Sequence, residues 1–148
     1  MNNHSIPPSE EICNKTISLW VAGDPVAQGR PRFARVGAGV RTFDPKKSRD
    51  WKHFIALRAN SEGIKPFPQS IPLYVVVVFH LSRPASVSAK KRPYPICKPD
   101  LDNFIKAAKD GLKGIAWHDD SQVIRIMATK IYSETPGVKI TVQEVKEC

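Results

Sequence analysis

The apolar run at residues 71–79, IPLYVVVVF, constrains the fold more than any other stretch of the chain. Its consecutive valines favour extended backbone, and a run of this kind is typical of a buried strand. The run is far too short for a transmembrane helix, which needs about 20 apolar residues. We therefore predict a central β-strand over residues 71–81.

Weaker patterns on both sides of this run predict the remaining elements. Asp44 followed by Pro45 predicts a helix start, with Asp44 as the N-cap residue and Pro45 at the first helical position. A Thr-Pro-Gly stretch at residues 135–137 predicts a hairpin turn. The predicted elements are strands at residues 16–23, 40–43, 71–81, 123–132 and 138–145, and helices at residues 45–60 and 101–113.

This order, β-(β)-α-β-α-β-β, is typical of an α/β (α+β) domain with a small mixed β-sheet and two helices. The length of 148 residues fits one domain with one core. Residues 1–15 are polar and contain adjacent prolines, which predicts a flexible N-terminal tail. We therefore expect a single domain over residues 16–148.

The charge of the chain indicates a polyanionic partner. Its 23 lysines and arginines exceed its 14 acidic residues, for a formal net charge of +9, which favours nucleic acid or an anionic membrane surface. Without a membrane-spanning run, we favour nucleic acid and expect no membrane association. Residues 1–15 lack the apolar centre of a signal peptide, and the three cysteines have no metal-ligand spacing. Both features predict a reducing, cytoplasmic location.

Two basic stretches rich in proline are predicted to contact DNA. They lie at residues 24–50 and at residues 82–99, and the second contains no acid. A run of charged residues is usually a solvated face. The second stretch, however, leads directly into an acidic motif, so we favour phosphate contacts for these basic residues. The aromatic residues Phe33, Phe43 and Tyr94 either stack on exposed bases or pack against their own loops. The predicted nucleic-acid-binding residues are Arg30, Arg32, Arg35, Lys90, Lys91, Arg92 and Lys98.

The stretch KPDLDNFIKAAKDGL at residues 98–112 holds two acids at a predicted helix start. With Asp100 at the N-cap, Asp100 and Asp102 meet in the first turn, and Lys106 follows one turn later. Two carboxylates this close repel unless a proton or a cation lies between them. In one interpretation they only stabilise the helix: Asp100 caps it, and Asp102 offsets the helix dipole and pairs with Lys106.

The second interpretation is a metal site for phosphodiester hydrolysis. A further acidic pair, Asp119 and Asp120, comes within reach if the chain turns back at Gly114. Oxygen donors suit Mg²⁺ or Mn²⁺ rather than zinc. Such ions ready a water and stabilise the leaving oxygen, while Lys106 would contact the scissile phosphate. In a chain this basic, a cluster of carboxylates favours the second interpretation.

KPDLDNFIKAAKDGL, followed by WHDDSQV at residues 117–123, resembles the RusA family of Holliday junction resolvases. The family pattern is D-x-D-N, a lysine four residues after the second aspartate, and later D-D-x-Q-V or D-D-x-Q-I. Every element of the pattern is present here. Upstream, PVAQGRPRFAR and FDPKKSRDW resemble a branch of the family with a G-R-P-R loop, so the resemblance covers most of residues 16–145.

The resemblance implies a homodimer with two symmetric active sites that cut opposed strands of a four-way junction. It implies metal binding by Asp100, Asp102 and Asp120, to which we add Asp119 as an assisting ligand, and a catalytic role for Lys106. The catalytic residues expected are thus Asp100, Asp102, Lys106 and Asp120. The family is often carried by phages and prophages, which suits the cytoplasm of a bacterial host.

The sequence therefore predicts a Mg²⁺- or Mn²⁺-dependent endonuclease that resolves Holliday junctions by paired symmetric hydrolysis. No small-molecule cofactor other than the metal is expected. Two alternatives stay open. One is a nuclease of the same chemistry that prefers flaps or other branched DNA. The other is a non-catalytic junction-binding protein whose acids only cap a helix, and its binding would be indifferent to Mg²⁺.

Overall fold

The computed structural model of the protein describes residues 15–146. The tail predicted for residues 1–15 lies, apart from Lys15, outside the described residues. In chain order the elements are β1 Thr16–Ala22, β2 Arg32–Val36, β3 Gly39–Phe43, α1 Lys46–Ser61, β4 Leu73–Leu81, α2 Leu101–Leu112, a 3-10 turn Asp120–Gln122, β5 Val123–Tyr132 and β6 Gly137–Glu144.

β4 lies inside a four-stranded mixed sheet with the strand order β1-β6-β4-β5. It pairs in parallel with β5 and antiparallel with β6, and β6 pairs antiparallel with β1. Because β4 lies between β5 and β6, the hairpin predicted at residues 135–137 is wrong. The predicted central strand is confirmed, although it begins at Leu73 rather than at residue 71. Because parallel strands need a crossover connection, the chain between β4 and β5 must return along the sheet, and α2 lies in that crossover.

Both described helices pack on one face of this sheet. Along β4, Leu73, Val75, Val77 and Phe79 are buried, whereas the residues between them are only half-buried. The ring of Phe79 lies 5.2 Å from the ring of Phe104 on α2, measured between centroids. Neither helix is both long enough and apolar enough to cross a membrane. The core residues from the helices are Trp51, Ile55, Ala59, Phe104, Ala107, Ala108 and Leu112.

α1 and α2 approach each other closely at Gly111. A Cβ atom at this position would lie 3.0 Å from the Cβ of Ile55 and 3.1 Å from the carbonyl oxygen of Lys52. A larger residue would therefore push the helices apart. The close approach sets Lys52 of α1 beside Asp110 of α2.

The structure corrects two expectations in the segment that leads into α1. The prediction that Asp44 caps this helix is wrong, because Pro45 occupies the N-cap position and no side chain caps the helix. The Asp44 carboxylate is instead hydrogen-bonded by Gln28 and Lys52, which lie outside the helix start. The second correction is β2, a segment for which the sequence predicts no strand but which pairs with β3 in a separate two-stranded ribbon. Every residue of β2 is exposed, so the segment lacks the alternation from which a half-buried strand is predicted.

We expect Gly111→Ala to lower the free energy of unfolding by about 1–2 kcal/mol, which is an overpacking cost of about 2–3 kcal/mol less the gain in helix propensity. Overpacking against Ile55 should outweigh the roughly 1 kcal/mol that alanine gains over glycine in helix propensity. Urea denaturation followed by circular dichroism measures the effect. The control is Gly39→Ala, where the new Cβ would meet nothing closer than 3.8 Å; it should stay within about 0.5 kcal/mol of wild type. Equal stability of wild type and Gly111→Ala would mean that the helices separate freely.

Candidate active site

The first turn of α2 holds both acids of the D-x-D-N motif. Asp100 is the N-cap residue, as predicted, and its backbone carbonyl accepts hydrogen bonds from the N–H groups of Asn103 at 3.2 Å and Phe104 at 3.4 Å. Its carboxylate makes no capping hydrogen bond. Asp102 accepts one bond, 3.0 Å from the N–H of Asn103. The interpretation in which the Asp100 side chain caps the helix is therefore wrong.

The acids of the two motifs have no partner cation in the described part of the chain. Among residues 15–146, no ion pair includes Asp100, Asp102, Asp119 or Asp120. The helix-stabilising pair expected between Asp102 and Lys106 is therefore not formed. In a chain with a net charge of +9, these carboxylates remain free to bind a cation from solution.

Asp102 and Asp120 line the same cavity. The chain turns after α2 at Gly114, whose φ of 82° is easily adopted by glycine. This turn brings the second acidic motif back toward α2. The cavity has a volume of about 330 Å³ and is lined by Asp102, Ile105, Lys106, Lys109, Asp110 and Asp120. Acids from both motifs thus lie around one space with two lysines.

Only part of the expected metal set meets in this cavity. Asp100 and Asp119 are exposed and do not line it. Asp119 instead caps the 3-10 turn by accepting a hydrogen bond from the N–H of Ser121 at 3.2 Å. Across residues 15–146, no three carboxylate, imidazole or thiol side chains converge into a metal cage. The third acid of the cavity, Asp110, is paired with Lys52. Asp102 and Asp120 are in no ion pair among residues 15–146 and fit Mg²⁺, which is usually held by one or two carboxylates together with water and phosphate oxygens.

The Asp120 carboxylate is oriented by a buried tryptophan. The indole Nε1 of Trp117 donates to Oδ1 of Asp120 at 2.8 Å. Trp117 is fully buried and packs in the core, so its ring is held in place on the apolar side. The hydrogen bond fixes one carboxylate oxygen through a neutral donor and leaves the negative charge uncompensated.

Gln122 fastens the segment that carries Asp120. Its Nε2 donates to the carbonyl oxygens of Pro68 at 2.9 Å and Ile71 at 3.2 Å. Its Oε1 accepts from the N–H groups of His118 at 2.9 Å and Asp119 at 3.1 Å. This buried amide therefore donates two hydrogen bonds and accepts two, and together they hold the 3-10 turn against the loop before β4. The glutamine of the D-D-x-Q motif is thus a positioning residue.

Lys52 joins α1 and α2 to the root of the ribbon, by which we mean residues 28–31 and 42–44, where the chain enters and leaves the ribbon. Its Nζ lies 2.8 Å from Oδ2 of Asp44 and 3.2 Å from Oδ2 of Asp110. Gln28 Nε2 donates to the other oxygen of Asp44 at 2.6 Å. Asp110 also lines the cavity that contains Lys106. The Lys52 network therefore forms one wall of the site.

The electrostatics of this network favour an ionised Asp44. Partial burial raises the pKa of Asp44, but hydrogen bonds from Lys52 and Gln28, with the positive charges of Lys52 and Arg49, outweigh it. The pKa of the carboxyl is therefore held below its ordinary value of 3.8. The ion pair is thus present at neutral pH.

The segment before the ribbon is tied to both helices. The N–H of Gln28 donates to the carbonyl oxygen of Asn103 in the first turn of α2 at 2.9 Å. The N–H of Gly29 donates to Oγ of Ser48 on α1 at 2.9 Å. Ser48 is buried, so this polar contact lies inside the fold. These bonds fix the root of the ribbon beside the D-x-D-N motif.

A comparison with known families extends the similarity beyond these motifs. The sequence model of the family described as Endodeoxyribonuclease RusA matches residues 22–143. The chain belongs to the RusA family. The match includes both acidic motifs, the ribbon and the Lys52 network, and it confirms the predicted class of enzyme, an endodeoxyribonuclease.

Two relatives match over most of their length. An uncharacterized protein of Bacillus subtilis (strain 168), YqaN, is 37% identical over 141 residues, which cover 87% of this chain and 96% of the relative. The crossover junction endodeoxyribonuclease rusA of Lactococcus phage r1t is 26% identical over 127 residues, or 82% of this chain and 91% of the relative.

The predicted nucleic-acid-binding residues of this RusA-family chain lie on two segments. Arg30 precedes the ribbon, and Arg32 and Arg35 belong to β2. Arg92 is half-buried, and its Nε donates to the hydroxyl of Tyr132 at 3.0 Å. It therefore also holds the second loop against β5. The remaining predicted residues, Lys90, Lys91 and Lys98, are exposed on residues 82–99.

Lys130 is a residue of the site region that the sequence did not predict. From β5, its Nζ donates to the carbonyl oxygens of Cys97 at 2.7 Å and Pro99 at 3.0 Å. These bonds hold the chain immediately before Asp100. The contact joins residues far apart in sequence, and nothing in the local pattern distinguishes Lys130 from other strand lysines.

Asp44→Asn should remove an interaction that stabilises the fold at neutral pH and is lost in acid. Because the folded-state pKa lies below 3.8, the contribution is complete above that value and disappears as pH falls through the lower folded-state pKa. Wild type should therefore melt at a higher temperature than the variant from about pH 5 to 8. The two melting temperatures should converge only below pH 3.8, as pH falls through the lower folded-state pKa.

Thermal melts at stepped pH provide the measurement. Asp50→Asn is the matched control, because Asp50 forms an exposed ion pair with Lys46 and should matter little at any pH. A constant difference between wild type and Asp44→Asn down to strong acid would contradict the assignment.

Proposed function

We propose that this protein is a divalent-metal-dependent Holliday junction resolvase that cuts four-way DNA junctions by paired symmetric hydrolysis. The observation that carries the proposal is the cavity lined by Asp102, Lys106 and Asp120, because acids of two separate motifs meet a lysine there. Family membership supports DNA hydrolysis. A relative from a Lactococcus phage, which is named a crossover junction endodeoxyribonuclease, supports the junction as substrate.

The metal would be held by Asp102 and Asp120, with Asp100 and Asp119 as the neighbouring acids of each motif. Their oxygen donors favour Mg²⁺ or Mn²⁺. When bound, such an ion supplies Lewis-acid chemistry, lowering the pKa of water and offsetting charge on the phosphate. The absence of any Asp102–Lys106 ion pair supports this assignment, because a paired carboxylate would be less free to bind the ion.

Lys106 and Lys109 would bind the scissile phosphate. Both line the cavity with Asp102 and Asp120. Neither lysine is in an ion pair within the described residues. Their ammonium groups can donate hydrogen bonds to phosphate oxygens and offset the charge that grows on the leaving oxygen. Hydrolysis breaks one P–O bond of the DNA backbone, joins the oxygen of water to phosphorus and returns a proton to the leaving oxygen.

Trp117 and Gln122 would keep the acidic side of the site ready for the substrate. Trp117 restrains one oxygen of Asp120, and Gln122 fixes the turn that carries it. Restraints of this kind reduce the reorganisation needed when charge develops in the transition state. The exposed arginines and lysines of residues 30–41 and 82–99 would hold the DNA backbone around the site.

The proposal includes a homodimer in a bacterial cytoplasm. A four-way junction has two-fold symmetry, and paired cuts on opposed strands need two active sites related in the same way. The match to a phage protein supports a phage or prophage origin.

Cleavage of a labelled synthetic four-way junction tests the proposal. Wild type should make symmetric paired nicks with Mg²⁺ or Mn²⁺ and none with EDTA. Asp102→Asn should cleave at least about 100-fold more slowly, the order expected when one preorganised electrostatic group is lost. Asp50→Asn, which removes an exposed acid of α1 outside the cavity, should cleave like wild type.

Other results would separate the alternatives. Tight junction binding without cleavage in either metal would mean a binding protein, and the acids would have no catalytic role. Faster cleavage of flaps than of four-way junctions would mean a branched-DNA nuclease of the same chemistry. Full activity of Asp102→Asn would overturn the assignment of the cavity.

Lys130→Met should weaken metal binding without changing the fold of the core. Loss of the two hydrogen bonds to the Cys97 and Pro99 carbonyls would loosen the chain that leads into the D-x-D-N turn. Because Lys130 contacts this chain and not a ligand itself, the loss of metal affinity should be about 10-fold, the low end of the range for outer-shell partners. Titration with Mn²⁺ alone, followed by calorimetry, measures the change directly. Lys130→Arg, which keeps donors, should recover part of the affinity. Lys139→Met, an exposed lysine of β6, is the control, and an equal loss there would contradict a specific role for Lys130.

A further inference from the structure

The β2–β3 ribbon is an ordered element without cover from the rest of the described chain. Every residue of both strands is exposed. A two-stranded hairpin alone is at best marginally stable in water, because it has no packed face. A partner that covered one face would therefore stabilise the ribbon.

The strand register divides the ribbon into two faces. Residues directly opposite each other point to the same side of an antiparallel pair. Phe33 lies opposite Thr42, and Arg35 lies opposite Val40; we name this the phenylalanine face. The other side, the arginine face, consists of Arg32, Ala34, Val36, Gly39, Arg41 and Phe43.

Both faces combine positive charge with exposed apolar surface. Phe33 is 73% exposed and Val40 is 67% exposed, so the phenylalanine face presents a ring and a branched side chain to solvent beside Arg35. No acid occurs between Asp24 and Asp44. A second copy of the ribbon would be repelled by like charge, whereas the phosphates of DNA complement it. An aromatic ring can also stack on any base, because every base has a π-face.

The root of the ribbon adjoins the active site. Pro31 and Thr42 line a second cavity, of about 230 Å³, together with Lys106 and Asp110. The root is held there by the hydrogen bond from Gln28 to the first turn of α2. From this root, strands of this length extend about 17 Å at roughly 3.4 Å per residue. DNA with a phosphate at Lys106 would therefore lie within reach of the ribbon.

We propose that the ribbon recognises the branch point of the DNA substrate. Phe33 stacks on a base that is unpaired at the branch point, and Arg32 and Arg41 on the opposite face contact backbone phosphates of an adjoining arm. This inference rests on the proposed function, since it names the part of the junction that lies next to the cleaved phosphate. In other DNA-binding proteins, aromatic and apolar side chains inserted between base steps open the DNA in the same manner.

Base opening can be measured without cleavage. Two four-way junctions, one with 2-aminopurine at the branch point and one with it inside an arm, are mixed with the protein in EDTA. Wild type should raise the fluorescence of the branch-point probe and leave the arm probe unchanged. Phe33→Ala should lose most of that rise and bind the junction about tenfold more weakly, in line with the loss of one stacking ring.

Matched variants make the result specific to the ring. Phe33→Trp keeps a stacking surface and should retain the fluorescence rise. Leu57→Ala removes an apolar side chain on α1 that is 53% exposed, and it should behave like wild type. Because Phe33 is exposed, Phe33→Ala should melt at the wild-type temperature, which separates lost stacking from lost folding.

The salt dependence of DNA binding tests the arginine face separately. Arg32→Gln combined with Arg41→Gln should weaken binding to junction and plain duplex alike, and should reduce the slope of log K against log salt by about 2. An unchanged salt slope would overturn the phosphate contacts.

The branch-point proposal and the proposed function can fail independently. A fluorescence rise in Phe33→Ala equal to that of wild type, or no rise in wild type, would overturn the role of the ribbon even if cleavage occurs. A Phe33-dependent rise in EDTA, with no cleavage in Mg²⁺ or Mn²⁺, would keep the ribbon and overturn the hydrolytic function.

Discussion

The close contact of α1 and α2 at Gly111 is the constraint on which the site depends. Because no Cβ separates the helices there, Lys52 of α1 reaches Asp110 on α2 and Asp44 before α1 at the same time. Asp44 in turn holds Gln28, whose backbone N–H binds the first turn of α2. One helix contact thus sets the wall of the cavity and the root of the ribbon.

Four acids in and beside the cavity fall into two groups with different partners. Asp44 and Asp110 share the ammonium group of Lys52 and are structural. Asp102 and Asp120 have no partner cation in the described part of the chain, and Asp120 is held by a neutral indole N–H instead. A neutral donor orients a carboxylate and leaves its charge in place, whereas a lysine would orient the carboxylate and also cancel its charge. This difference separates acids that hold the fold from acids that can bind a cation.

The sequence predicted elements well where one segment carried its own pattern. β4 and α2 lie within two residues of their expected bounds, because a run of valines and an amphipathic stretch are local signals. The N-cap role predicted for Asp44 is wrong because its two carboxylate oxygens accept hydrogen bonds from Gln28 and Lys52, which both lie outside the helix start. β2 was missed because both of its faces are exposed, which removes the alternation that marks a half-buried strand.

The sequence by itself determined the family, the fold class and the types of residue at the site, since D-x-D-N, the following lysine and D-D-x-Q are local patterns. Only the tertiary structure decided that Asp102 and Asp120 share a cavity, while Asp100 and Asp119 lie outside its lining. It also decided that Lys130 holds the chain before Asp100 and that Lys52 links both helices. The physical reason is that these contacts join segments that are remote in sequence. They follow from the parallel pairing of β4 with β5 and from the packing of α1 on α2, which no local pattern specifies.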